Sequence, residues 1–218
     1  MIDRELQLRV ALVDVMRRAV ADELSNGTSG NASAVLDEGR VLVTPSGIPP
    51  DELEPGAIVL VDAGGAVVDD EALAPTTELA LHLAVYLASP TARAVMHTHS
   101  PYATAVACAC DELPAVHYDI VVVGGPVRVA PYALFGSDEL AAACAAALEG
   151  RSAALLANHG VVAHGETVRQ AYERAAKVEW LAALWWRTRA LGEPRVLSDE
   201  QLDGVRAQMA RYRYGERR

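Results

Sequence analysis

Two histidines two residues apart, His97 and His99, close the apolar run Ala94-Val95-Met96. On a strand, residues i and i+2 project to one face, so this spacing can present two imidazoles to one metal ion. A third histidine stands in Asn158-His159-Gly160, where another apolar run, 153–157, meets a glycine. Three histidines with one position left open is the usual ligand set of a catalytic zinc. Glu78, in Thr76-Thr77-Glu78, adds a carboxylate suited to act as a base, a fourth ligand, or both in turn. Two loops rich in glycine and hydroxyls, Thr28-Ser29-Gly30-Asn31 and Thr44-Pro45-Ser46-Gly47, together with Thr76-Thr77, offer N–H and O–H groups suited to an oxyanion. The combination reads as a metal beside a phosphate cradle. His82 lies four residues after Glu78 on the same helical face and reads as packing or as support behind the site.

The elements that must position these groups follow from periodicity. Residues 3–24 carry a helical stripe of Leu6, Val10, Leu12, Val13, Met16 and Val20. Residues 32–36 and 40–44 read as a hairpin across Asp37-Glu38-Gly39, and 57–62 with 66–68 as another across Ala63-Gly64-Gly65. These are adjacent antiparallel pairs rather than βαβ units. Thr76 reads as the N-cap of a helix to about Ser89, with Thr77 and Glu78 in its first turn. Ser100 and Pro101 read as the cap and first residue of a helix after the His97 strand. Further strands are predicted at 127–130, 153–157 and 161–163, and further helices at 137–148 and 167–191. Ser198-Asp199-Glu200-Gln201 is a capping box opening a last helix toward Tyr212. No repeat or low-complexity linker interrupts residues 1–218, so one α/β domain is expected.

Composition narrows the functional classes. A net charge of −10 argues against non-specific nucleic-acid binding, while leaving room for a local phosphate site built from backbone N–H groups. No 18-residue apolar stretch and no secretory signal are present, so no membrane partner is expected and the expected location is cytoplasmic. The three cysteines, Cys108, Cys110 and Cys144, are read as reduced, small core residues. Trp180, Trp185 and Trp186 on the long helix suit core or a subunit interface. Lys177 is the sole lysine and falls in that helix, away from every motif, so a Schiff-base lysine is not expected.

Taken in order, Gly27-Thr28-Ser29-Gly30-Asn31, Thr44-Pro45-Ser46-Gly47-Ile48-Pro49, Thr76-Thr77-Glu78, His97-Thr98-His99, His117-Tyr118, Ala130-Pro131-Tyr132-Ala133-Leu134-Phe135-Gly136 and Asn158-His159-Gly160 resemble the class II aldolase/adducin family over about residues 5–190. The resemblance implies a three-layer α/β/α sandwich around a mixed, mostly antiparallel sheet. It implies one Zn²⁺ per subunit on His97, His99 and His159, with Glu78 as both metal ligand and catalytic acid/base. Gly30, Asn31, Ser46, Gly47, Thr76 and Thr77 match the family's phosphate-binding positions, and Phe135 a pocket-shaping aromatic. It further implies a homotetramer with active sites at subunit interfaces, where Tyr118 of a neighbouring copy donates a proton. Tyr212 and Tyr214 are both candidates for the family's C-terminal tyrosine. The family has Ser-Ser where this chain has Thr76-Thr77, which keeps the hydroxyls and adds methyls.

The activity so implied is reversible cleavage of a small sugar phosphate to dihydroxyacetone phosphate and an aldehyde through a zinc-stabilised enediolate. The ketose 1-phosphate would be L-fuculose 1-phosphate or a related 5-deoxypentulose 1-phosphate. The same scaffold also hosts pentulose-phosphate 4-epimerases and a methylthioribulose-1-phosphate dehydratase. An epimerase would require an additional acid/base Asp, for which Asp119 is in the right region. Adducin-like interaction modules lack the metal ligands, so retention of Glu78 and all three histidines argues against that role.

Overall fold

Alternation along the strands decides which side chains meet which helices. The computed structural model describes residues 3–37, 39–68 and 72–212. Its strands are β1 (Asn31–Asp37), β2 (Arg40–Val43), β3 (Val59–Asp62), β4 (Ala94–Thr98), β5 (Glu112–Leu113), β6 (Val127–Ala130), β7 (Ala153–Leu156) and β8 (Gly160–Gly165). They form one sheet in the order β3-β2-β1-β4-β8-β7-β6-β5. Among the described residues, only the β6–β7 pairing is parallel. The helices are α1 (Arg4–Ala21), α2 (Leu79–Ala88), α3 (Pro101–Ala109), α4 (Asp138–Ala147), α5 (Val168–Leu191) and α6 (Asp199–Arg211).

Even-numbered residues of β1 and β4 (Ala32, Ala34, Ala94, Met96) pack with α1, α3 and α5 through Leu12, Val106 and Leu181. Val95 of β4, Leu156 of β7 and Val162 of β8 face the other way, against Leu81 of α2 and Leu140 of α4. The result is the α/β/α sandwich the sequence resemblance implies. Leu12, Leu155 and Leu181 are fully buried, each contributing roughly 1.5–3 kcal/mol relative to exposure. Because β4 buries both faces, His97 lands on the α2/α4 side with Val95, where little water reaches it.

Several local expectations are corrected. Thr76 does not cap an α-helix, and Glu78 is not in a first turn; α2 begins at Leu79. The Thr76 N–H is taken by the Thr44 carbonyl and Pro75 bridges Pro45, which holds this segment extended along the sheet edge. The chain turns only afterwards, with Thr76 Oγ1 accepting from Glu78 N at 3.2 Å. Ser100 makes no side-chain cap for α3; the Glu179 carboxylate of α5 accepts from Tyr102 N (3.0 Å) and Ala103 N (2.8 Å) instead. The second arm of the 57–68 hairpin shrinks to a single bridge, Val61 to Val67. Glu38, in the first hairpin turn, lies outside the described residues. Cys108 is exposed and Cys110 half-buried, so only Cys144 is a core cysteine. Burial pushes the Cys144 thiol up to about 12, which keeps it protonated.

Candidate metal centre

His97 is the last outward-pointing residue of β4 on the α2 side, and His99 follows one residue beyond the strand. Their Nε2 atoms converge to 2.9 Å. His97 Nδ1 donates to the Val161 carbonyl at 2.8 Å, which turns Nε2 toward His99 and Glu78. His159 arrives from the β7–β8 turn. Asn158 makes that turn with φ +56°, a left-handed conformation that asparagine tolerates better than most residues. Gly160 then passes so close to β4 that a Cβ would sit 2.2 Å from the Thr98 carbonyl. The Asn-His-Gly order thus has a backbone reason on each side of the histidine.

Glu78 completes the group from the start of α2. Its Oε2 lies 3.1 Å from His97 Nε2 and its Oε1 3.3 Å from His159 Nε2. The three imidazoles meet edge to face, with centroids 4.8, 4.8 and 4.9 Å apart. One donor atom from each of the four residues falls within 4.8 Å of every other. A tetrahedral site with metal–ligand distances of about 2.0–2.1 Å has edges of about 3.3–3.4 Å, and the His97–His99 contact of 2.9 Å and the His159–Glu78 Oε1 contact of 3.3 Å approach that size. Glu78 Oε1 is buried without a hydrogen-bond partner, an unmet acceptor that a cation would satisfy. The donor set therefore fits a divalent metal ion.

Electrostatics point the same way. Burial alone would raise the Glu78 carboxyl, but the charge and hydrogen bond of His97, the Asn31 amide and His159 outweigh it, and the carboxyl is held well below its ordinary range. His99 is pushed down to about 4, chiefly by burial and then by His97 and His159, against the pull of Glu78. Burial and then His97 likewise lower His159. Ionised carboxylate and neutral imidazoles are the forms that bind metal.

A cavity of about 350 Å³ opens over Glu78, His99 and His159. Thr28, Ser29, Gly30 and Thr77 line one part of it; Tyr132, Ala133, Phe135 and Asn158 line another. Gly30, at φ +82°, is held between the Ser25 hydroxyl and the His97 carbonyl, where a Cβ would collide at 2.6 and 2.9 Å. Asn31 stands behind the cavity and donates from Nδ2 to Glu78 Oε2 at 2.9 Å. Of the residues matched to phosphate binding, Gly30 and Thr77 line the cavity, Asn31 and Thr76 lie buried against its floor, and Ser46 and Gly47 do not line it. Tyr132 was not singled out by the residue pattern, because a lone tyrosine beside a proline carries no periodic signal.

Tyr118 lies elsewhere. It is half exposed on the short helical turn Tyr118–Val123, stacked on His117 with centroids 4.5 Å apart. His117 in turn meets Trp180 of α5 edge to face. Lys177 is not remote from the motifs as expected: its Nζ lies 2.7 Å from Asp119 Oδ2, beside Tyr118. Trp180 and Trp186 are exposed rather than core. Tyr212 is exposed at the end of α6, and Tyr214 lies outside the described residues. No described helix is long and apolar enough to cross a membrane.

Comparison with known proteins agrees with this geometry. The family model described as "Class II Aldolase and Adducin N-terminal domain" matches residues 10–186. The L-fuculose phosphate aldolase of Escherichia coli is 40% identical over 181 residues, spanning 82% of this chain and 83% of that protein. The 5-methylthioribulose-1-phosphate/5-deoxyribulose-1-phosphate aldolase of Rhodospirillum rubrum is 37% identical over 201 residues, spanning 92% and 90%. A solved L-fuculose 1-phosphate aldolase superposes with a TM-score of 0.89 at 38% identity, covering 94% of this chain and 96% of the other. A fold, a four-donor cluster and matches over most of the length agree on one assignment: the chain belongs to the class II aldolase and adducin family and is one of its enzymes, a lyase.

Proposed function

We propose that this protein is a zinc-dependent aldolase that reversibly cleaves a ketose 1-phosphate to dihydroxyacetone phosphate and an aldehyde. The observation that carries the reading is the convergence of Glu78, His97, His99 and His159, with Glu78 Oε1 making no hydrogen bond, at the floor of a cavity rimmed by hydroxyl and glycine loops. The relatives named for L-fuculose phosphate and for 5-deoxyribulose 1-phosphate supply the substrate class.

Bound zinc supplies Lewis acidity, offsetting the negative charge that C–C cleavage leaves on the ketose oxygens. Glu78, kept ionised by its neighbours, takes the substrate proton and returns it to the carbanion carbon. Thr28, Ser29, the Gly30 backbone and Thr77, which line the cavity, hold the phosphate by hydrogen bonds; the family resemblance adds Asn31, Ser46, Gly47 and Thr76 to the phosphate-binding set. Tyr132, Ala133 and Phe135 give an apolar wall suited to the carbon end of a deoxy sugar. The protein works as a cytoplasmic, single-domain homotetramer in which Tyr118 of one copy serves the aldehyde oxygen in its neighbour's site. Asp119, tied to Lys177, is not a free acid for the epimerase reaction.

Metal analysis tests the reading first. The purified protein carries about one zinc per chain, and chelation removes metal and activity together. Glu78→Gln keeps metal on the three histidines and lowers kcat by at least about 100-fold. Undiminished turnover in that variant would remove Glu78 from its role, and protein without metal or metal-dependent activity would overturn the zinc reading.

A further inference from the structure

Behind Glu78 a buried line of polar side chains runs back through Asn31, His82 and Ser33 to Tyr86. Asn31 Nδ2 reaches Glu78 Oε2 at 2.9 Å; Asn31 Oδ1 meets His82 Nε2 at 2.5 Å; His82 Nδ1 meets Ser33 Oγ at 2.7 Å; Ser33 Oγ meets Tyr86 OH at 2.6 Å. Asn31, Ser33, His82 and Glu78 are each 6% exposed or less. The line is a zipper between two elements. Residues 31 and 33 share a face of β1, and residues 78, 82 and 86 share a face of the α2 segment. Two strand residues rise about 6.6 Å and four helical residues about 6.0 Å, so the two sets interdigitate without strain.

The hydrogens in this line can point only one way. An ionised carboxylate accepts, so Asn31 must turn its amide N–H to Glu78 and its carbonyl to His82. A carbonyl accepts, so His82 must donate from Nε2. Burial pushes His82 down to about 3, keeping it neutral, so its Nδ1 is an acceptor. Ser33 therefore gives its one proton to Nδ1 and must accept from Tyr86. Every donor runs from Tyr86 through Ser33, His82 and Asn31 to Glu78.

We propose that Ser33 and His82 are positioning residues: they lock the His82 Nε2–H tautomer, which locks the Asn31 amide, which anchors Glu78 by Oε2 and leaves Oε1 as the oxygen that faces metal and substrate. With the opposite tautomer, Asn31 would have to flip and set its carbonyl against the carboxylate. This inference rests on Glu78 being the group that moves the proton.

Two readouts test it on the zinc-loaded protein. In ¹⁵N-histidine NMR, His82 is neutral with its proton on Nε2. Ser33→Ala then leaves Nδ1 without its donor and shifts the Nδ1 resonance while Asn31 still holds the proton on Nε2, and it lowers kcat by about 10- to 100-fold with KM within about twofold. Tyr86→Phe, which leaves the Ser33 proton on Nδ1, keeps the tautomer and costs less kcat than Ser33→Ala. A wild-type Nδ1–H tautomer or imidazolium overturns the inference without any variant. So does a Ser33→Ala enzyme with kcat within about twofold, or a Tyr86→Phe enzyme as impaired as Ser33→Ala. The tautomer is read independently of turnover, whereas a fully active Glu78→Gln enzyme would instead remove the acid/base reading beneath it.

Discussion

Gly160 and Gly47 are both glycines of recurring motifs, yet they answer to different physics. Adding a Cβ at Gly160 drives it to 2.2 Å from the Thr98 carbonyl, between the two strands that deliver His97 and His159. Gly160→Ala is expected to cost about 3 kcal/mol or more and to weaken metal binding, because β4 and β8 must part. At Gly47 a Cβ meets open space, and the cost is that of holding an L-residue at φ +75°, about 1–2 kcal/mol. Thermal unfolding with parallel metal analysis separates the two: Gly160→Ala loses stability and metal, Gly47→Ala only a few degrees. His82 gives a second residue-scale expectation. It is neutral in the fold down to about pH 3 but charges near 6.5 when unfolded. The unfolded chain therefore binds the extra proton, so its contribution is full above pH 6.5 and is lost as pH falls toward 3. Between pH 7.5 and 5 the metal-free wild type should lose about 2 kcal/mol more in urea unfolding than His82→Gln does.

At the scale of elements, what the sequence made legible is what local periodicity controls. The i, i+2 spacing of His97 and His99 and the capping box that opens at Ser198 depend on neighbours a few residues away, and both stand in the structure. What was not legible depends on partners distant in sequence. Thr76 is set back from α2, which begins at Leu79, because its segment stays extended against Thr44 and Pro45. Ser100 lost its role to Glu179, which lies one long helix away. Lys177 found Asp119 across 58 residues. The facing of Cys108 was set by how α3 sits on α5, which no short window of sequence contains. The site itself was readable as a set of residue types, but the fixed direction of the Asn31–His82–Ser33 line emerged only from distances. Glu179→Gln is expected to weaken the α3 cap, since a charged acceptor shared by two N–H groups becomes a neutral one. A loss of about 1–2 kcal/mol in urea unfolding, with metal retained, is the outcome that fits.

For the whole molecule, the unusual surface is aromatic. Tyr118, Trp180 and Trp186 are 44–54% exposed, and Tyr118 stands apart from the cavity that the chain's own Glu78 floors. The homotetramer proposed above, with its sites at subunit interfaces, would account for both facts, because a neighbour's Tyr118 would then reach the aldehyde end. Tyr118→Phe should leave metal content unchanged and lower kcat by about 10- to 100-fold, while Trp180→Ala should shift the assembly toward smaller species in analytical ultracentrifugation. The account as a whole stands on one reaction. Zinc-loaded protein incubated with a panel of ketose 1-phosphates, including L-fuculose and 5-deoxyribulose 1-phosphates, and coupled to detection of dihydroxyacetone phosphate, should release it in step with an aldehyde and stop when the metal is chelated. Appearance of only a C4 epimer or a dehydrated diketone, with no dihydroxyacetone phosphate from any member of the panel, would contradict it.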